Sequence, residues 1–179
     1  MKITKTLMTI GIASALTMPF SACQQTQREN PLLVESQLLF GAPDFSNIEI
    51  SDYLPAFEVA IQAQRDSIAK IVENTDSATF ENTILAFDES GKLLERVSHV
   101  FFALTEADKT PELGEIEKQV MPMLTDLENE ISFNKPLFER IRQVYDRDHD
   151  SLSGEKQKLL EEVYKSFVIN GALLSEEKM

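Results

Sequence analysis

Thr79-Phe-Glu-Asn-Thr-Ile84, continued by Ser90-Gly-Lys-Leu-Leu-Glu-Arg-Val-Ser-His-Val-Phe-Phe102, is the stretch on which the fold turns. Phe80, Ile84, Phe87, Gly91, Leu94, Val97, Phe101 and Leu104 recur at steps of three and four. That spacing places side chains on one face of an α-helix. Thr79 stands where an N-cap belongs, its hydroxyl able to accept from an unpaired first-turn N–H. Gly91 costs about 1 kcal/mol against Ala inside a helix, yet the apolar register passes through it undisturbed. The expectation is therefore one continuous helix, with a close backbone contact at Gly91 on the buried face. The phenylalanine stripe reads as core packing and calls for no cofactor.

The flanking segments repeat the pattern. Asp52 is expected to cap a helix from Tyr53 to about Glu73, with Pro55 in its first turn and Phe57, Ile61, Gln64, Ile68 and Ile71 on the inner face. Thr110 and Pro111 open a helix carrying Leu113, Ile116, Val120, Leu124, Leu127 and Ile131, which Pro122 should kink. Asn134-Lys-Pro136 restarts a short helix through Leu137, Ile141 and Val144. Ser153 begins another, with Leu159, Leu160, Val163, Phe167 and Val168 apolar, closing at Asn170-Gly171. Ser175-Glu-Glu-Lys178 looks like the start of a further helix, so Met179 is expected to be an artificial or premature end. With no strand pair, repeat or low-complexity tract in the pattern, the fold class is all-α, an array of long amphipathic helices.

Ahead of the helices, Lys2 and Lys5 and the apolar run Leu7–Phe20 read as an export signal over residues 1–22, the run being short for a bilayer span. Phe20-Ser-Ala-Cys23 resembles a bacterial lipobox, with Phe20 where Leu is usual, and makes Cys23 the expected lipid anchor of an exported envelope protein. Gln24 after the cysteine is compatible with sorting to an outer membrane. Residues 23–50 are expected to be a polar tether (Gln24 to Asn30) followed by an extended segment pinned to the helical body by Leu38, Phe40 and Phe45. Residues 51–179 form the helical region. Cys23 is the one cysteine, so an intrachain disulfide is excluded.

The formal charge is −13, and removal of Lys2 and Lys5, with no acidic residue before Glu29, would take it to −15. Such a field repels phosphate backbones and argues against nucleic-acid binding. Few residues suggest catalysis. The two histidines, His99 and His149, lie far apart, and no His-Glu-x-x-His places two imidazoles on one helix face. His99, beside Arg96, reads as a packing or edge residue. Asp146, Asp148 and Asp150 match the first three ligand positions of a calcium loop, but Ser151 and Gln157 stand where the turn glycine and the bidentate glutamate are needed. The pairs Glu115/Glu117 and Glu161/Glu162 belong to polar helix faces. No catalytic or metal-binding residue is assigned.

Asn30-Pro-Leu-Leu, Phe40-Gly-Ala-Pro-Asp-Phe, Tyr53-Leu-Pro-Ala-Phe, Thr79-Phe-Glu-Asn-Thr-Ile, Gly91 through Phe102, and Lys165-Ser-Phe-Val-Ile-Asn-Gly-Ala172 together resemble, in order and spacing, the thimet-oligopeptidase-like zinc metallopeptidases in their peptidyl-dipeptidase branch. The resemblance implies a large two-lobed helical enzyme that encloses a deep channel and releases C-terminal dipeptides from short peptides. It implies zinc and a general-base glutamate in a later part of the sequence, leaving this chain as roughly the first quarter. The implied role here is to build channel wall, with short peptides and the remainder of its own polypeptide as partners. No zinc is expected on this chain. The alternative is a complete, lipid-anchored helical interaction protein without enzymatic activity. Reading the coding frame past Met179 separates the two.

Overall fold

The structure, a computed structural model, describes residues 28–173; the export signal, Cys23 and the Ser175 helix start lie outside the described residues. Among these residues there are helices and turns and no strand. The all-α expectation holds.

Helix α1 (Ile50–Glu73) is the spine. Its N-cap is Glu49, in extended conformation, and Asp52 occupies the third helical position, where its Oδ2 accepts the Glu49 N–H at 2.7 Å. The helix thus begins earlier than the Asp52 cap implied, and Pro55 lies inside it beyond the first turn. The predicted face is otherwise as read: Phe57, Ile61, Ile68 and Ile71 are buried, with Gln64 at the edge.

The central stretch departs from a single continuous α-helix. Thr79 caps it, its Oγ1 accepting Asn82 N–H at 3.1 Å while Asn82 Oδ1 accepts Thr79 N–H at 2.8 Å, a reciprocal capping box. The first turns, Phe80–Leu85, are a π-helix in which Ala86 N–H reaches back five residues to the Glu81 carbonyl. Helix α2 (Ala86–Ser90) follows, then Gly91 as a single turn residue, then α3 (Lys92–Ala107). Gly91 keeps helical angles (φ −91°, ψ −5°) and its carbonyl accepts Glu95 N–H, so the interruption is slight. Its close neighbour is not backbone: a Cβ there would lie 3.1 Å from Gln64 Nε2 on α1.

Helix α4 (Pro111–Ser132) is capped by Thr110 and runs as one α-helix through the exposed Pro122. Asn134 caps α5 (Lys135–Asp148), accepting Leu137 N–H at 2.9 Å. Helix α6 (Gly154–Ile169) ends in a Schellman motif, Ala172 N–H donating to Phe167 O and Gly171 N–H to Val168 O, with Gly171 at φ 94°.

Two apolar clusters lie along α1. Its first half packs Tyr53, Phe57 and Ile61 against Leu94, Val97 and Phe101 of α3 and Leu113, Val120 and Leu127 of α4. Its second half packs Ile68 and Ile71 against Phe80 and Ile84, with Leu137, Phe138, Ile141 and Val144 of α5 and Leu160, Val163 and Phe167 of α6. Ile131 touches both.

The N-terminal segment corrects two expectations. Leu38, Phe40 and Phe45 do not pin it; all three are exposed, and the buried anchor is Leu32, supported by Leu33 and Ile48. Nor are Arg28 and Asn30 tether, since both bond to Asp52. Between Ser36 and Asn47 the chain is turns, including a single 3₁₀ turn at Leu39–Gly41, and Phe40 sits at φ 60°, ψ 19°. Left-handed angles on a bulky residue cost about 1–3 kcal/mol. They are held here by Gly41 N–H to Leu38 O, Ala42 N–H to Leu39 O, and Ser36 Oγ, which donates to Ala42 O at 2.5 Å and accepts Leu38 N–H at 3.2 Å.

Candidate functional site

A shaped concavity lies where the N-terminal segment crosses the start of α1 and the middle of α3. Arg28 makes a two-pronged contact with Asp52, Nη2 lying 2.6 and 2.7 Å from its two carboxylate oxygens, and Nη1 donates to Asn47 O at 2.8 Å. Asn30 Nδ2 donates to Asp52 O at 2.8 Å, and its Oδ1 accepts Leu32 N–H, which sets Leu32 into the first cluster. Asp52 is buried. Burial alone would push its carboxyl up, but the Arg28 hydrogen bonds, the Glu49 N–H and the Arg28 charge together hold it below the usual carboxylate range. The same contact raises Arg28 further. Next to it, burial and then the Asp52 charge push the Tyr53 phenol up.

This crossing leaves a concavity of about 420 Å³, lined by Leu32, Val34, Leu38, Ile48, Arg96 and Val100 among others. Two cations line it, Arg28, which is paired with Asp52, and Arg96. The latter is loosely held. Its Nη2 makes only a long contact, 3.5 Å, to Leu32 O, and its Nε is buried without a partner among the described residues. The arrangement suits an apolar side chain accompanied by a hydrogen-bond acceptor. Its lining also carries Ser36, which donates to Ala42 O, and the carboxylates of Glu29, Glu35 and Asp44, the last of them held by Ser46 and Asn47.

The residues singled out from sequence fall elsewhere. His99 is exposed on α3, 4.0 Å from Glu95, and so is an edge residue. His149 lies beyond α5, its Nδ1 2.9 Å from Asp150 Oδ1 and its Nε2 3.1 Å from Glu161 Oε1. The hydrogen bonds to Asp150 and Glu161 raise the imidazole above its ordinary pKa. Because the two ring nitrogens face opposite ways, those carboxylates sit on opposite sides of the ring and do not converge on a point where an ion could bind. Asp146 and Asp148 form the last turn of α5 rather than a ligand loop, and Asp148 is held by Arg147 Nε and Nη2 at 2.7 and 2.6 Å. Among the described residues no group of three or more His, Cys, Asp or Glu side chains could hold a metal ion. The zinc that the family resemblance implies therefore finds no fitting donor set in residues 28–173. Cys23 lies outside the described residues.

Sequence reasoning missed Arg28, Arg96 and Arg140. Arg140, on α5, donates through Nη1 to Asn74 O at 2.7 Å and Asp76 O at 3.2 Å, and through Nη2 to Asn82 Oδ1 at 3.4 Å. It clamps the loop between α1 and the π segment. Each of these arginines acts across a long sequence separation, where spacing carries no signal.

The chain is 40% identical over 148 residues to the dipeptidyl carboxypeptidase of Escherichia coli (strain K12), an alignment covering 82% of this chain and 22% of the relative. The chain is related to the N-terminal part of dipeptidyl carboxypeptidases. The Salmonella typhimurium dipeptidyl carboxypeptidase is 38% identical over 149 residues, 83% of this chain and 22% of the relative. Oligopeptidase A of E. coli is 27% identical over 150 residues, with the same coverage. No family model matches the chain. The chain thus spans little more than a fifth of the length of the curated relatives it matches. This bears out the resemblance read from Asn30-Pro-Leu-Leu through Lys165-Ser-Phe-Val.

Proposed function

We propose that residues 28–173 are the opening part of a longer peptidase of the dipeptidyl-carboxypeptidase type, which removes C-terminal dipeptides from short peptides with zinc ligands and a general base supplied by later sequence. The observation that carries the reading is the 40% identity maintained over 148 residues with a dipeptidyl carboxypeptidase of which this stretch matches 22%. In this reading the helical array is a section of channel wall. Its contribution is exclusion and positioning rather than bond cleavage, in keeping with a concavity of apolar shape flanked by arginines.

The export reading belongs to the same proposal: Cys23 carries lipid, and the enzyme works on peptides in a bacterial cell envelope, touching membrane only through that anchor. Metabolic labelling with a fatty-acid analogue tests this, with label lost in Cys23→Ser. For the enzyme reading, the decisive comparison sets this chain against the polypeptide encoded when the reading frame is followed past Met179. Dipeptide release and stoichiometric zinc are expected from the longer product and neither from this chain. Release by the 179-residue chain alone would overturn the division of labour.

A further inference from the structure

The N-terminal turn spends backbone strain to expose apolar surface. Phe40 is 97% exposed and Leu39 77%, and Phe40 adopts left-handed angles that bulky residues avoid. Val34, Leu38 and Phe45 in the same segment are also exposed. Nothing within residues 28–173 gains from this: the turn is closed by its own hydrogen bonds through Ser36, and neither Leu39 nor Phe40 belongs to either cluster. A strained conformation persists where it serves a contact, and a rigid exposed aromatic is a low-entropy anchor. Beside this convex knob lies the concavity of Leu32, Val34, Leu38 and Val100, with Arg96 on its wall, its Nη2 making only a 3.5 Å contact to Leu32 O.

We infer that the Leu39–Phe40 turn and the Arg96 cleft form one docking surface. Its occupant is a helical surface from the later part of the same longer polypeptide, which receives Phe40 in an apolar recess and returns an apolar side chain and a hydrogen-bond acceptor to Arg96. The inference rests on the reading under Proposed function, because that later part supplies the occupant. Two observations select it. The relatives extend over nearly four-fifths of their length beyond the matched 22%, which is ample chain to cover the patch. A second copy would bring another formal charge of −13 and the same acidic rim of Glu29, Glu35 and Asp44, so self-association is opposed.

The test is one substitution in two proteins, Phe40→Gly in the 179-residue chain and in the longer polypeptide. Glycine relieves the left-handed strain, so in the short chain the melting temperature is expected to hold or rise. In the longer polypeptide it is expected to fall by several degrees, and the amides of residues 34–45 are expected to exchange at least tenfold more slowly than in the short chain. This reversal of sign is what a merely local structural role would not produce. A longer, peptide-cleaving polypeptide that is indifferent to Phe40→Gly and exchanges residues 34–45 at the short-chain rate overturns the docking surface and leaves the enzyme reading standing. A frame that closes at Met179 overturns both. Protection of these amides in the short chain, whether rising with its concentration or appearing on phospholipid vesicles, would give the surface to a second copy or to a membrane and overturn the proposed occupant.

Discussion

The two apolar clusters share α1 and finish differently. In the second, aromatic rings lead from helix to helix. A line of rings runs from Phe87 to Phe167 (5.7 Å), Phe138 (5.9 Å), Tyr164 (5.8 Å), Tyr145 (3.9 Å) and His149 (4.7 Å), joining α2, α6 and α5. Arg140 ties the loop above it to α5. The first cluster has an equally dense aromatic centre, with Phe101 5.2 Å from Tyr53 and 5.4 Å from Phe57 in tilted and edge-on arrangements. Its outer wall, however, is the N-terminal segment, which buries Leu32 and turns Leu39 and Phe40 outward. Exposed apolar residues occur at both ends, but at the second cluster Ile169 and Leu173 lie in and just past the end of α6, whereas at the first Leu39 and Phe40 sit on a turn with left-handed angles.

The largest test removes the centre of the first cluster. Phe101→Ala is expected to cost about 3–5 kcal/mol, since Phe101 is fully buried. Urea denaturation followed by far-UV circular dichroism gives the loss. Near-UV signal from the Tyr145–Tyr164 stack then tells whether the second cluster survives it. A single coincident transition would show that α1 couples the two ends into one cooperative unit.

Next in size, Arg140→Ala is expected to cost about 1.5–3 kcal/mol, the range for hydrogen bonds from a charged donor. Amide exchange should rise first in residues 74–82, at the second cluster's rim, and leave the first cluster's amides protected.

Smaller still is Asp52→Ala at the opposite end, expected at about 1 kcal/mol through the lost hydrogen bond at the head of α1. It should also change the pH profile. Asp52 titrates below its ordinary value in the folded chain, so its contribution is present above its unfolded pKa and lost as pH falls through the folded one. His149 has the reverse sign. Raised in the folded chain, it contributes fully below its unfolded pKa of about 6.5 and loses that contribution as pH rises through the folded value. Asp52→Asn should flatten the acid limb of the melting-temperature profile, and His149→Gln the neutral-to-alkaline limb, so the two clusters can be titrated separately.

The smallest effect lies between the clusters. Gly91→Ala is expected to gain less than about 1 kcal/mol, because its angles are already helical and the atom in the way, Gln64 Nε2, ends a flexible side chain. A melting temperature that falls instead would show that Gln64 cannot yield.

Much of this was legible in the sequence. Thr79, Thr110 and Asn134 cap as their hydroxyl and amide groups predict, and Asn170-Gly171 closes α6 through a glycine suited to positive φ. The stripes hold because three-and-four spacing survives packing on either cluster. The misreadings have specific causes. Asp52 looked like a cap because its carboxylate does serve the head of α1, but from the third position, accepting the Glu49 N–H. The π segment was invisible because i→i+5 pairing leaves the apolar order of Phe80, Ile84 and Phe87 unchanged. Leu38, Phe40 and Phe45 were read as pins on hydrophobicity alone, whereas a left-handed angle at Phe40 turns the segment's apolar groups out. For the candidate site, the family resemblance was legible and the arginines that shape the cleft were not, since Arg28, Arg96 and Arg140 reach partners far away in sequence.

Arg28's hold on Asp52 also sets a leash. If the lipid sits on Cys23, only five residue steps separate the bilayer attachment from a point fixed to the spine of the fold, and even drawn taut they span roughly 17 Å. So moored, the protein would be confined to a thin layer against the membrane, and any ligand would have to come to it.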